Sequence, residues 1–317
     1  MAEKKIVAIV GATGAQGGGL ARAILSDPSG GFSVRALTRR PESEPARVLA
    51  RLGADVRVAD LDRLETVKRA FDGAHAVYCV TNFWEHRSPE RELAQAGAMA
   101  QAAACVGNEH VIWSTLEDTR RWVPLDSDRM PTLMVHYKVP HFDAKGEANE
   151  QFTRRNVPAT FLLTSFYWDN FINFPGMGPR RDRSGVLTLT MPMGDKRLPS
   201  IAAEDIGRCA YGILRAGPAY VGQTVGIAGE HLTGAEIAST LSRSLSEPVR
   251  YADIEPDEYR RLDFPGAEDL GSMFQFKRDF QDVFCQARSV ARSRQVNPRL
   301  QTFEQWLTFN GRRIPTG

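Results

Sequence analysis

Over residues 1–163 the chain alternates two kinds of apolar pattern. Ile6-Val7-Ala8-Ile9-Val10 is a short continuous apolar run, as in a strand covered on both faces. Ala21, Ile24 and Leu25 then recur at helical spacing. The same pair of patterns repeats down the chain. It predicts strands over residues 33–38, 55–60, 74–80, 110–114 and 159–163, and helices over 45–52, 64–71, 89–106 and 142–155. Strands alternating with helices at this spacing imply right-handed crossovers and a parallel sheet covered on both faces. The fold class that follows is α/β, a Rossmann doubly wound sheet with helices on both sides.

Two regions fall outside that rhythm. Residues 118–140 carry several prolines and charges, including Asp126-Ser127-Asp128, and read as a long surface loop. After residue 163 the segment Phe166-Tyr167-Trp168-Asp169-Asn170-Phe171-Ile172-Asn173-Phe174 is rich in aromatics. Leu187-Thr188-Leu189-Thr190-Met191 alternates, and Gly194-Asp195 offers a turn, so a hairpin is expected there. Residues 203–214 read as a helix with Ile206, Ala210 and Ile213 on one face. Thr233 and Glu236 have the spacing of a capping box that opens another helix. Residues 249–252 suit a strand, and mostly helical segments fill the remainder. The expected division is a nucleotide-binding domain over residues 1–163, completed by about 200–228, and a smaller mixed α+β C-terminal lobe over 164–199 and 229–317.

Composition changes this picture mainly by exclusion. Hydrophobic residues make up 42% of 317, enough for a sizeable core. The formal net charge is +2, and basic residues cluster only as pairs such as Arg39-Arg40 and Arg180-Arg181. No basic helix or arm stands ready for direct nucleic-acid binding. Cys79, Cys105, Cys209 and Cys285 are scattered, without Cys-x-x-Cys spacing, so neither a disulfide framework nor a metal site is expected. No apolar run is long enough for a bilayer, and the first strand begins too early for a signal peptide. The expected setting is reduced and cytoplasmic.

The chemistry begins at Gly11-Ala12-Thr13-Gly14-Ala15-Gln16-Gly17, between the first strand and its helix. Gly11 suits the tight turn, Gly14 lets a pyrophosphate approach the backbone, and Gly17 lets the helix pack close to the sheet. The helix N-terminus then offers N–H groups to the phosphates. The second strand ends in Thr38-Arg39-Arg40, where an NAD-selective domain carries an acid. Two guanidinium groups there suit a 2′-phosphate, hence NADP(H), the alternative being solvated loop charges. Asp60 ends the third strand, either near the adenine or as a capping carboxylate. Thr81-Asn82-Phe83 follows the fourth strand, either lining the cofactor crevice or forming a strand-ending turn.

For hydride transfer a short-chain dehydrogenase places a Tyr four residues before a Lys on one helix. Here Lys145 has His141 at that spacing, and Tyr137 lies eight residues before it. Ser114 ends the fifth strand, where the helper serine belongs. The catalytic candidates are therefore Lys145, Tyr137 and His141. Lys145 reads as a contact to the nicotinamide ribose, as a base, or as a solvated lysine. His141 reads as capping or loop packing, or as a proton donor. Phe166, Tyr167 and Trp168 form an aromatic wall, whether against a ligand or within the core.

Four segments together resemble the NmrA-like family, atypical short-chain dehydrogenases/reductases, and within it the NADPH-sensor branch. They are Gly11 to Gly18, Val80-Thr81-Asn82-Phe83-Trp84-Glu85, Val139-Pro140-His141-Phe142-Asp143-Ala144-Lys145-Gly146-Glu147, and Asp263-Phe264-Pro265-Gly266-Ala267-Glu268-Asp269-Leu270. The resemblance implies an NADP(H)-binding fold without the usual Tyr, acting as a redox sensor. Such a sensor changes conformation and association, as a homodimer or with a protein partner. It implies that Gly11 to Gly17 cradle the pyrophosphate and that Arg39 holds the 2′-phosphate. Asp60 and Leu61 would flank the adenine, and Thr81 to Phe83 the ribose. Lys145 and residues 166–170 would meet the nicotinamide. The chain departs from the branch at Glu42-Ser43, where a further basic residue is expected, at Ala94, where a lysine is expected, and in the length of the 118–140 loop. The isoflavone-reductase-like enzymes are similar around Lys145 and use a lysine as acid/base. This gives the alternative, an NADPH-dependent reductase of a small aromatic or enone substrate.

Overall fold

The first strand, β1 (Lys5–Ile9), is built as its apolar run demands: Val7, Ala8 and Ile9 are wholly buried. The computed structural model describes residues 3–316. After β1 the alternation runs through α1 (Ala15–Leu25), β2 (Phe32–Thr38), α2 (Glu44–Arg51), β3 (Asp55–Val58), α3 (Leu64–Phe71) and β4 (Ala76–Cys79). The one-turn helix α4 (Phe83–His86) and the long α5 (Pro89–Val106) lead to β5 (His110–Thr115). Then come α6 (Pro140–Thr153) and β6 (Ala159–Leu163).

The chain divides into two units. Described residues to 118, with 144–164 and 203–225, make the first, and 119–143, 165–202 and 226–316 make the second. Segment 119–143 and residues 200–202, placed with the nucleotide domain by the sequence pattern, group with the second unit.

In the second unit β7 (Phe166–Tyr167) and α7 (Asn170–Asn173) precede β8 (Arg180–Arg181), β9 (Leu187–Thr190) and β10 (Arg197–Ile201). Next, α8 (Ala203–Ala216) and β11 (Thr224–Gly226) complete the first unit's sheet. The second unit resumes with β12 (Glu230–Thr233), α9 (Gly234–Leu245) and β13 (Val249–Ala252). It ends in α10 (Pro256–Arg260), α11 (Ala267–Asp279), α12 (Gln281–Gln286), α13 (Val290–Val296) and α14 (Phe303–Asn310).

The first unit's seven-stranded sheet has the order β11-β6-β5-β4-β1-β2-β3. The order reverses beside β1, between β1 and β4, which is where an open α/β sheet leaves a crevice at its strand ends. One face carries a core around Trp113 and Phe152, stacked at 5.2 Å. On the other, α1 packs against α8. A Cβ on Gly19 would lie 2.8 Å from Glu204 O, and one on Gly207 2.0 Å from Leu20 N, so these glycines set that close crossing.

The second unit holds two three-stranded sheets, β12-β10-β7 and β13-β9-β8. The hairpin expected at Gly194 does not form. β9 and β10 lie in different sheets, and β9 instead pairs antiparallel with β8 across a turn in which Gly185 N donates to Asp182 O. The capping box at Thr233 and Glu236 is present. The 118–140 segment is not a plain surface loop. Val123, Met130, Tyr137, Lys138 and Val139 are buried. Lys138 Nζ donates to Ser127 O at 2.7 Å and Met130 O at 2.8 Å, which folds the segment onto itself. Burial holds the Lys138 ammonium below its ordinary pKa, against the pull of Asp126, Asp128 and Asp143.

Candidate functional site

The glycine turn sits at the carboxyl end of β1. Gly11 has φ +64°, open to glycine at no steric cost. A Cβ on Gly17 would stand 2.5 Å from Gly11 O and 2.9 Å from Val10 O, so only glycine lets α1 start this close to the strand. Gly14 is the N-cap of α1 and no side chain caps it. Thr13, Gly14 and Ala15 are exposed. Gln16 Oε1 accepts from Ser114 Oγ at 2.8 Å and from the Tyr78 hydroxyl, tying the helix start to β5 and β4. An exposed helix N-terminus that no side chain caps fits a diphosphate.

At the end of β2, Arg39 and Arg40 are both exposed. Arg39 Nη2 donates to both carboxylate oxygens of Glu85, at 2.7 and 2.9 Å. Arg40 meets no carboxylate among the described residues. Asp60 lies beyond the end of β3, in the turn before α3. Its Oδ1 accepts from Asp62 N at 3.1 Å, so its carboxylate shapes the turn, while Arg63 holds the N-cap position of α3 and no side chain caps that helix. Leu61 packs against the core of the first unit.

Past β4 the structure brings Thr81 and Lys145 together. Lys145 Nζ lies 2.6 Å from Thr81 Oγ1, 3.3 Å from Thr81 O and 2.7 Å from Glu92 Oε1. Three contacts match the three N–H bonds of an ammonium. The Thr81 hydroxyl also donates to Glu92 Oε1, closing a triangle. Glu92 is fully buried on α5, and Lys145 Nζ lies 5.1 Å from the Trp113 ring centroid. His86 Nε2 faces Glu92 Oε2 at 3.4 Å, while its Nδ1 accepts the Ser88 N–H. Asn82 is exposed at the start of α4, whereas Phe83 is buried and packs edge-on against Trp84 and His86.

The remaining predicted residues belong to the second unit. His141 Nδ1 lies 2.6 Å from Asp269 Oδ1, and its backbone N–H donates to Asp269 Oδ2. Tyr137 is buried, with the Arg120 guanidinium 5.3 Å from its ring centroid. The aromatic wall is largely core. Trp168 is fully buried, donates from Nε1 to Ser200 Oγ at 2.8 Å, and packs on Phe303 and Trp306. Phe166 packs on Phe171 and Phe274. Only Tyr167 is half-buried. Of the two readings of this wall, ligand contact and core packing, Trp168 takes the packing one in this structure, with no exposed surface.

Sequence reasoning missed Glu92, Glu85 and Asp269 as individual residues. Glu90 and Glu92 both lie in the first turn of α5, where an acid complements the helix dipole, so nothing local marks Glu92 as half of a buried ion pair. It also missed Asp143. That carboxylate accepts from Thr119 N, Thr119 Oγ1, Lys138 N and Val139 N within 3.0 Å, fixing the entry to α6. Burial pushes the Asp143 carboxyl up, and these bonds pull it back. Among the described residues no cluster could hold a metal ion, and no helix is long and apolar enough to cross a membrane.

The chain is 28% identical to an NmrA-like family domain-containing protein of Dictyostelium discoideum, over 96% of this chain and 97% of that one. It is 29% identical to an NmrA-like family domain-containing oxidoreductase of Cladobotryum sp, over 86% and 83%. Its fold is similar to NmrA, a negative transcriptional regulator solved in complex with NADP, with a TM-score of 0.79 at 21% identity over 97% and 95% of the chains. It is also similar to the Citrobacter sp. triphenylmethane reductase complexed with NADP(H), with a TM-score of 0.73 at 18% identity over 95% and 99%. The model of the NmrA-like family matches residues 3–307, and with the glycine turn, strand order and relatives in agreement, this chain belongs to the NmrA-like family.

Proposed function

We propose that this chain binds NADP(H) and acts as a redox sensor, passing cofactor state to a protein partner or to its own association. The glycine turn would hold the diphosphate and Arg39 the 2′-phosphate. The bound cofactor would supply a transferable hydride. What favours sensing over turnover is the state of Lys145: its three N–H bonds point to Glu92 and Thr81. A lysine so engaged must first break a buried ion pair before it can exchange a proton with a substrate. His141, at the usual tyrosine's place, is likewise held by Asp269. The four free cysteines suit a reducing cytoplasm.

A second reading, reduction of a small aromatic or enone compound with Lys145 as acid/base, draws support from relatives that carry the name oxidoreductase. Following NADPH absorbance with a panel of carbonyl and enone compounds separates the two. Sensing predicts no turnover and a cofactor-dependent oligomeric or partner-binding state. Turnover abolished by Lys145→Ala would reverse the choice. The cofactor assignment has its own test. Arg39→Ala is expected to weaken NADP+ binding by about ten- to a hundredfold in calorimetry, and NAD+ binding much less. Equal losses for both would remove Arg39 from the site.

A further inference from the structure

We propose that Glu85 sets the nucleotide preference of this chain, occupying Arg39 as an internal stand-in for a 2′-phosphate. The inference rests on the NADP(H) reading of the site. Glu85 lies on α4, just past the carboxyl end of β4, and the Arg39 guanidinium reaches it from the end of β2. The match is specific. Of two adjacent arginines, the one beside the strand end carries the carboxylate, and Arg40 carries none among the described residues.

The neighbouring acids are committed elsewhere. Asp62 makes its hydrogen bonds to Arg91 and, at 2.9 Å, to Gln95; these bonds do most to hold its carboxyl below the usual range, and the Arg39 charge adds only the smallest pull, without a contact. The Asp60 carboxylate accepts from the Asp62 backbone. Glu85 is thus the acid that a phosphate on Arg39 has to displace.

The pair is made to be displaced. Its side chains are 47% and 45% exposed, so solvent screens the attraction and little holds the two together. A 2′-phosphate carries more negative charge and more acceptor oxygens than a carboxylate, so it outcompetes Glu85 for the guanidinium. Glu85 is then left beside a like charge, and part of the gain is lost. NAD(H) brings no phosphate and leaves the pair intact, with a carboxylate where an NAD-preferring site also keeps an acid. Glu85 therefore handicaps NADP(H) alone and draws the two affinities together.

Calorimetry of the full chain with NADP+ and with NAD+ tests this, comparing wild type, Glu85→Gln and Glu85→Ala. Both variants are expected to bind NADP+ about three- to tenfold tighter and NAD+ no tighter. The NADP+ gain should shrink when Arg39→Ala is added. If wild type binds NADP+ but the ratio of the two affinities is unmoved, or moves toward NAD+, Glu85 is not the determinant and the nucleotide reading stands. If wild type binds neither nucleotide, the nucleotide reading fails, and this inference with it.

Discussion

Two ion pairs in the first unit have the same length and opposite settings. Arg39–Glu85 and Lys145–Glu92 both close to 2.7 Å. The first is half in water, and the second joins a lysine with a 10% exposed side chain to a wholly buried carboxylate. Distance alone would rank them equal. Solvation separates them. Water screens the first and offers each partner an alternative, so the pair exchanges readily. The second has no such alternative, and removing either partner strands a charge in the interior. An exchangeable pair suits a place where a ligand arrives. A fixed pair suits a place where geometry must hold.

The strongest way to break this contrast is Glu92→Leu. It should lower stability by about 3–5 kcal/mol in urea unfolding, because Lys145 is left buried and unpaired. Glu92→Leu combined with Lys145→Met should recover most of that loss, since no charge remains to be stranded. A single-variant loss below about 1 kcal/mol would mean that the Lys145 ammonium reaches water and that the contrast is wrong.

His110 sharpens the comparison, being buried beside the Thr160 hydroxyl with no carboxylate partner among the described residues. Burial, with a lesser contribution from the charge of His75, pushes its pKa down to about 4. The folded value lies below that of the unfolded chain, about 6.5, so the neutral ring's contribution is present above the unfolded value. It is lost as pH falls through that window toward 4. About 2 kcal/mol should disappear between pH 7.5 and 5, and His110→Gln should flatten that part of the stability profile. An unchanged slope would show that His110 is solvated.

The smallest effect belongs to the exposed pair. Arg39→Ala and Glu85→Gln should each shift unfolding stability by less than about 1 kcal/mol while moving nucleotide affinity. A shift of several kcal/mol would make the pair structural and erase the distinction.

Much of the first unit was legible from period alone. The run at β1, the glycine turn and the strand–helix alternation lead to the observed sheet because both faces of its central strands must be covered. The capping box at Thr233 was legible for a similar reason: its bonds span three residues. The hairpin at Gly194 misled because alternation shows that a strand exists and not which partner it takes. The small-residue step at Gly19 and Gly207 and the fold of residues 118–140 depend on groups remote in sequence, so no local pattern announces them.

The sequence by itself determined the period of each element, the phosphate-cradling turn and the basic pair after β2, because each is encoded within a few consecutive residues. Tertiary structure decided what the charges do. Glu92 meets Lys145 and Glu85 meets Arg39 across 53 and 46 positions of chain, and whether water lies around them is fixed only by what else packs there. The energy of a charge depends on its solvent, and a side chain's solvent is a property of the folded molecule.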